Sequence, residues 1–306
     1  MRVALTHDAM ATAFQIAIAC EEPAYARQAA AAAFAELDLI EGRLSRFAEG
    51  SDIFRINRLR PGEATLVHLD TFECLRIAEE VRRDTAGAFD VAYLVVTEAP
   101  PCHSERSEAK SRNLSSALAG AERCLDKLGM TATSTACAKD GGSRCFELSE
   151  ESHTVRVLAE GVCLDLGGIG KGFALDRMAA LLREWEVASA LLCASISTIL
   201  ALDAPPGEEG WAVQLGLDDA PEHLKLINGA LSASGTAVKG SHIVDPRTGR
   251  PAEGRFRAWA LAPTAAMADA LSTAFMIMSE EAVRAYCRCH TGIVARILSA
   301  DGEVVS

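Results

Sequence analysis

Residues 163–176 read CLDLGGIGKGFALD, and their order of chemistry decides how the rest of the chain is understood. An apolar run ending at Leu166 meets Gly167 and Gly168, and a helix-spaced set (Phe173, Ala174, Met178, Leu181, Leu182) opens after Gly170 and Gly172. This is the pattern of a strand that feeds a tight turn into a helix. Such a turn is expected to leave backbone N–H groups unpaired. With the positive end of the helix dipole and the ammonium of Lys171, those donors suit a phosphate-bearing ligand. The spacing is neither a Walker loop nor a dinucleotide fingerprint, and glycine-rich turns before helices are common, so the glycines taken alone read first as a plain sharp turn.

Working outward, 306 residues with 49% hydrophobic side chains are enough to bury a large core. Thirty basic residues against forty-two acidic ones give a net charge of −12. That bulk charge opposes nucleic acid and anionic membranes, so an anionic ligand must be held by local donors or a metal. No apolar run approaches the roughly 20 residues that span a bilayer, and MRVALTHDAMAT lacks the basic start and apolar core of a secretory signal. As written, the chain is expected to be cytoplasmic, or periplasmic or membrane-associated if a leader is missing. Its ten cysteines include no Cys-x-x-Cys pair and are read as reduced and structural; Cys287, Cys289 and His290 form a weak metal signal.

Alternation of Phe14, Ile16, Ile18 and Cys20 predicts a strand, and an alanine-rich helix follows over about 24–44 with Phe34, Leu37, Ile40 and Leu44 on one face. Ser51 is the expected N-cap of a short helix. Asp70 and Glu73 look like the capping box of the next helix, which Gly87 ends. Residues 99–117 (APPCHSERSEAKSRNLSSA) carry too little apolar surface to offset the entropy of ordering, and read as an inserted mobile loop. Two strands are expected within 145–158, a buried strand pair in ALLCASISTILAL, and another strand in WAVQLGL. Small residues at 232–235 would let backbone pass close to a ligand. Asp245–Gly249 is a turn, and a final hairpin turns at Asp301-Gly302.

Thr264 can cap a helix whose apolar stripe is Met267, Leu271, Ala274 and Met278, with Asp269 and Thr273 four residues apart on one face. A carboxylate and a hydroxyl in register on an apolar helix require partners if buried. A hard cation such as Mg²⁺ is one. The alternative is that Asp269 favours the helix dipole while Thr273 bonds back to its own helix.

Five segments, LSRFAEGSDIFRIN (44–57), AGAFD (86–90), LDLGGIGKGFALD (164–176), SHIVDPRTGRP (241–251) and ADALSTAF (268–275), occur in an order and spacing that resembles the ApbE-like FAD:protein FMN transferases. The resemblance covers nearly the whole chain apart from 99–117. It implies an α+β fold of the ApbE type, T-fold-like, with mixed sheets, packed helices and one cleft, and a single domain over 1–306. It also implies Mg²⁺-dependent transfer of FMN from FAD, the substrate, to a threonine or serine hydroxyl of an acceptor flavoprotein, with release of AMP. Alternatives on the same fold are an FAD pyrophosphatase and a non-catalytic FAD-binding protein. Carried over position by position, the resemblance implies metal ligands at the Gly168 carbonyl, Asp269 and Thr273, with Ser272 beside them. Flavin or phosphate contacts fall on Met10, Phe47, Ala88, Phe89, Asp90, Lys171 and Ile243. Catalytic roles fall on Lys171, Asp269 and His242, the last as positioner or base for the acceptor hydroxyl. The chain departs from the family pattern at Ala11, at Val91-Ala92 and at CASIST (193–198), where Ile196 is expected to crowd backbone near the site.

Overall fold

The computed structural model describes residues 1–92, 94–95, 144–217, 220–235, 243–299 and 304–305. The chain opens with β1 (Arg2–Ala9) and β2 (Thr12–Ala19), continues through α1 (Pro23–Leu44), α2 (Asp52–Ile56), β3 (Ala64–Leu66), α3 (Leu69–Asp84) and β4 (Leu94–Val95), and resumes with β5 (Phe146–Ser149), β6 (Thr154–Val157) and β7 (Val162–Cys163). Then follow α4 (Gly170–Glu184), β8 (Ala190–Ala194), β9 (Thr198–Ala201), β10 (Trp211–Leu217), β11 (Ala220–Leu226), β12 (Gly229–Gly235), β13 (Arg255–Ala262), α5 (Ala265–Phe275), α6 (Glu280–Cys289), β14 (Val294–Ser299) and β15 (Val304–Val305). The insertion read at 99–117, His242 and the turn at 301–302 lie outside the described residues.

The fold is α+β and is built on an eight-stranded antiparallel sheet, ordered β1-β2-β8-β9-β12-β13-β14-β15. Alternation assigns its two faces. On β9, β12 and β13, Leu200, Ala230, Ala258, Ala260 and Ala262 turn into the main core with the helices, whereas Ala201, Leu231 and Trp259 turn the other way. That second face is covered by the β10–β11 ribbon through Trp211, Val213, Leu215 and Leu226. On the helical side α1, α4 and α5 pack together and α5 lies against β12 and β13. Ala26, Ala29, Ala30 and Ala33 of α1 are buried beside Phe34, Leu37 and Ile40. Their small side chains let helices approach, while each large one stabilises by about 1.5–3 kcal/mol on leaving water.

Several local expectations are met by specific bonds. The Ser51 hydroxyl accepts the Phe54 N–H at 3.0 Å and the Thr264 hydroxyl accepts the Met267 N–H at 3.3 Å, so both predicted caps form. Gly87, with φ +77, closes α3 by donating to the Arg82 carbonyl.

Others are corrected. α3 is capped by His68, whose ring accepts the Asp70 N–H, because the Asp70 carboxylate is taken by Arg43 and Arg177 and that of Glu73 by Arg76. The apolar run before the glycine bend is strand only at Val162–Cys163. From Leu164 the side chain of Asn57 replaces a neighbouring strand, accepting the Leu164 N–H at 2.7 Å and donating to its carbonyl at 3.0 Å. α5 ends at Phe275, so Met278 lies beyond it, and the helix is buried nearly all round rather than along one stripe. Ile196, expected to crowd backbone near the site, is 79% exposed at the β8–β9 turn. Among the described residues no helix is long and apolar enough to cross a membrane.

Candidate active site

The glycine bend brings two helix N-termini face to face. α4 begins at Gly170, and a Cβ built on Gly172 would overlap the Ala265 carbonyl and stand 2.8 Å from the Ala266 nitrogen. Only glycine allows the first turns of α4 and α5 to touch through their backbones. That contact delivers Asp269, one turn into α5, to the start of α4: its Oδ2 accepts the Gly172 N–H at 3.1 Å and lies 3.6 Å from the Lys171 ammonium.

The other carboxylate oxygen is met from the sheet. Asp269 Oδ1 accepts from the Thr198 hydroxyl at 3.4 Å and the Ser232 hydroxyl at 3.3 Å, and these two hydroxyls are 3.0 Å apart. Ser234, two residues along the same face of β12, reaches Ser272 Oγ at 2.9 Å and Thr273 Oγ1 at 3.1 Å. Asp269 is only 4% exposed. A carboxylate so buried needs charge-assisted partners, and N–H, two hydroxyls and an ammonium supply them.

The alternative to a cation for α5, helix dipole and back-bonding, is met in a mixed form. Thr273 does bond back, its hydroxyl 3.4 Å from the Asp269 carbonyl. Asp269 does sit at the positive end of a helix dipole, but that helix is α4, not its own. The expectation of unpaired N–H groups in the bend is corrected for four of them. Gly167 donates to Asp165 Oδ1, Ile169 and Gly170 donate to the Leu166 carbonyl, and Gly172 donates to Asp269. The anion at this helix terminus is the protein's own carboxylate.

The expected residues are brought together in part. A Cβ on Gly168 would stand 3.2 Å from the Phe89 ring and 3.4 Å from Thr273 Oγ1, so Gly168, Phe89, Thr273, Asp269 and Lys171 share one neighbourhood. The Lys171 ammonium donates to the Gly167 carbonyl at 3.1 Å. Ala88 and Asp90 are buried beside Phe89, with Asp90 Oδ1 accepting the Ala92 N–H at 2.8 Å. Phe47 is 59% exposed and lies under the Arg46 guanidinium, 4.6 Å from its ring centre; Arg46 in turn pairs with Asp165 at 3.4 Å, on the flank of the bend. Met10 occupies the β1–β2 turn, its N–H held by Glu41 at 2.8 Å, and Ile243 is buried beside the Val244–Pro251 bridge. No described contact joins those two to Asp269.

Sequence reading missed Thr198 and Ser232 as partners of the carboxylate, Ser234 as the partner of Ser272 and Thr273, and any role for Asp176. Asp176 accepts the Ala265 N–H at 2.7 Å and the Ala266 N–H at 2.8 Å. Burial pushes its carboxyl up to about 6, against the opposing pull of those two N–H groups and Arg183. The alternation of small polar residues in GALSASG was the available signal for the serines.

Among the described residues no three His, Cys, Asp or Glu side chains converge. A cation here would be held by one carboxylate with hydroxyl and carbonyl oxygens, a hard donor set that suits Mg²⁺ and leaves positions for substrate phosphates. The tempting Cys287-x-Cys289-His290 group is organised otherwise: His290 stacks on Tyr286 at 4.0 Å and its Nδ1 lies 2.9 Å from the Tyr286 carbonyl. Burial raises the thiols of Cys163 and Cys193, the latter to about 11, which keeps them neutral.

The sequence and the fold have counterparts. The chain is 28% identical over 155 residues to the FAD:protein FMN transferase of Escherichia coli (strain K12), an alignment covering 46% of the chain and 43% of that relative. The match thus spans less than half the length of that curated relative. The structure superposes with a TM-score of 0.76 on the ApbE protein of Thermotoga maritima, at 24% identity, over 100% of this chain and 96% of that one. It also superposes with a TM-score of 0.76 on the flavin transferase ApbE of Vibrio cholerae, at 20% identity, over 100% and 96% of the two chains. At those identities the likeness is one of fold. A family model, that of the ApbE family, matches residues 10–297, and the chain therefore belongs to the ApbE family.

Proposed function

We propose that this protein transfers FMN from FAD to a threonine or serine hydroxyl of an acceptor flavoprotein, with Mg²⁺, and releases AMP. One observation carries the reading: a buried carboxylate, Asp269, stands between the Lys171 ammonium and a set of hydroxyl oxygens at a glycine bend that Gly168 and Phe89 complete. Family membership and the names of the similar proteins support it. The larger of the two core clusters draws residues from Val3 to Ile297, which supports treating the chain as one functional unit.

In this reading Asp269, Thr273 and the Gly168 carbonyl would hold Mg²⁺, with Ser272 beside them. When bound, the ion would neutralise charge on the FAD diphosphate. Lys171, tethered to the Gly167 carbonyl, offers its ammonium to a phosphate oxygen. Ala88, Phe89 and Asp90 form a rigid wall for the flavin half, with Phe47, Met10 and Ile243 further out. The acceptor hydroxyl oxygen forms a bond to the FMN phosphorus, the bond from that phosphorus to the bridging oxygen breaks, and AMP leaves. The hydroxyl proton passes to a base, for which His242, outside the described residues, is the candidate.

Incubating the full chain with FAD, Mg²⁺ and a threonine-containing acceptor peptide tests the reading. AMP released together with FMN-modified peptide is the expected result. Release without acceptor would mark a pyrophosphatase, and tight FAD binding with no AMP a binding protein; either would overturn the transferase.

A further inference from the structure

We propose that Asp176 is a positioning residue for the cation site: by gripping the first two amides of α5 from a neighbouring helix, it fixes where Asp269 and Thr273 stand. The inference rests on the metal reading above and adds to it a residue outside the ligand set.

The bonds of the α5 N-terminus separate two jobs. Thr264 already caps the helix from within the chain, its hydroxyl taking the Met267 N–H and its carbonyl the Ala268 N–H. That leaves the amides of Ala265 and Ala266, and both go to the carboxylate of Asp176, one oxygen each. A two-point grip fixes direction as well as distance. It therefore defines the rotation of α5 about the contact that Gly172 permits, and Asp269 follows one turn later on the same rigid helix.

The opposite bond completes a clamp. Asp269 accepts Gly172 N–H on α4, four residues before Asp176, so the two helices hold each other by exchanged carboxylates. Loosening one half would let α5 slide or turn, separating Asp269 from the Thr198 and Ser232 hydroxyls, to which its distances are already 3.4 and 3.3 Å. Stability alone does not account for the group. Burial pushes the Asp176 carboxyl up to about 6, so the charged form is disfavoured where it sits, and such placement is typical of residues kept for a site.

The test titrates Mn²⁺, a spectroscopic stand-in for Mg²⁺, into the full chain with ADP as a diphosphate, at neutral pH, and follows thermal unfolding in parallel. Wild type is expected to bind Mn²⁺ in competition with Mg²⁺. Thr264→Ala, which weakens the same helix end, is expected to lower Tm with unchanged affinity. Asp176→Asn is expected to weaken Mn²⁺ binding by about tenfold or more, in the range of other residues that orient metal ligands. Asp176→Glu, which keeps the charge and shifts it by one methylene, serves if the asparagine variant fails to fold and is expected to weaken binding too. A foldable Asp176 variant with a lowered Tm and unchanged Mn²⁺ affinity would overturn the proposal and leave only a structural role. Absence of Mn²⁺ binding in wild type would instead overturn the metal reading, and this inference with it.

Discussion

The carboxylate of Asp269 accepts an N–H at the start of the helix that carries Asp176, and the carboxylate of Asp176 accepts two at the start of the helix that carries Asp269. Each anion thus meets the positive end of the other's dipole at hydrogen-bond distance, an interaction whose usual range reaches about 2 kcal/mol in partly buried geometries.

Replacing Asp269 removes an acceptor shared by Gly172, Thr198 and Ser232. Asp269→Ala is expected to lose roughly 1–3 kcal/mol of stability from the orphaned donors. Asp269→Asn, which keeps one acceptor oxygen, is expected to unfold closer to wild type. Both should lower Mg²⁺-dependent AMP release by about 100-fold or more. Denaturant unfolding beside an AMP assay checks this, and full activity in Asp269→Asn removes Asp269 from the ligand set.

Gly172→Ala places a methyl group against the Ala265 carbonyl, backbone against which nothing flexible can give. The helices must separate, with a loss of about 1–3 kcal/mol or more. Gly170→Ala is the control, since a Cβ there meets only Leu166 Cβ at 3.7 Å. Equal melting temperatures for the two variants would contradict the close approach.

Stability should depend on pH through Asp176. Its folded carboxyl is raised to about 6 from 3.8, so between those values the folded state binds more protons than the unfolded state. The contribution is present in full below about pH 4 and is lost as pH rises through about 6. The stability of wild type relative to Asp176→Asn should therefore fall by about 2 kcal/mol between pH 4 and pH 7. Parallel urea titrations at the two pH values read this; a difference that grows with pH would show that the sign is wrong.

Two departures from the family pattern sit in left-handed backbone. Ala11 has φ +56 and Ser195 has φ +55. A side chain in that region carries a penalty of about 1–2 kcal/mol that glycine avoids. Ala11→Gly and Ser195→Gly are each expected to raise Tm. Ile196→Lys, at a site 79% exposed, should change stability by less than about 0.5 kcal/mol. Calorimetry on the three variants settles each.

Much of the fold was legible because its signals are local. Ser51 and Thr264 cap the helices they were expected to cap, the alternation of residues 12–19 made a strand, and the alanine-rich 23–44 made a helix. The errors also have local causes. Asp70 resembled a cap until long-range arginines claimed its carboxylate, and Leu164 resembled strand until the Asn57 side chain took the neighbour's place.

The sequence by itself determined a glycine bend opening a helix, a capped apolar helix bearing Asp269 and Thr273, and five segments in the order of one family, because turn chemistry, caps and motif spacing are written within a few residues. Only the tertiary structure decided which groups meet the Asp269 carboxylate. Thr198 and Ser232 come from strands 71 and 37 residues away, and small hydroxyls carry no periodic signal strong enough to mark their destination. The grip of Asp176 on Ala265 and Ala266 was invisible for a simpler reason: its partners are backbone amides, which every residue but proline possesses, so only the approach of two helices across a missing Cβ selects them.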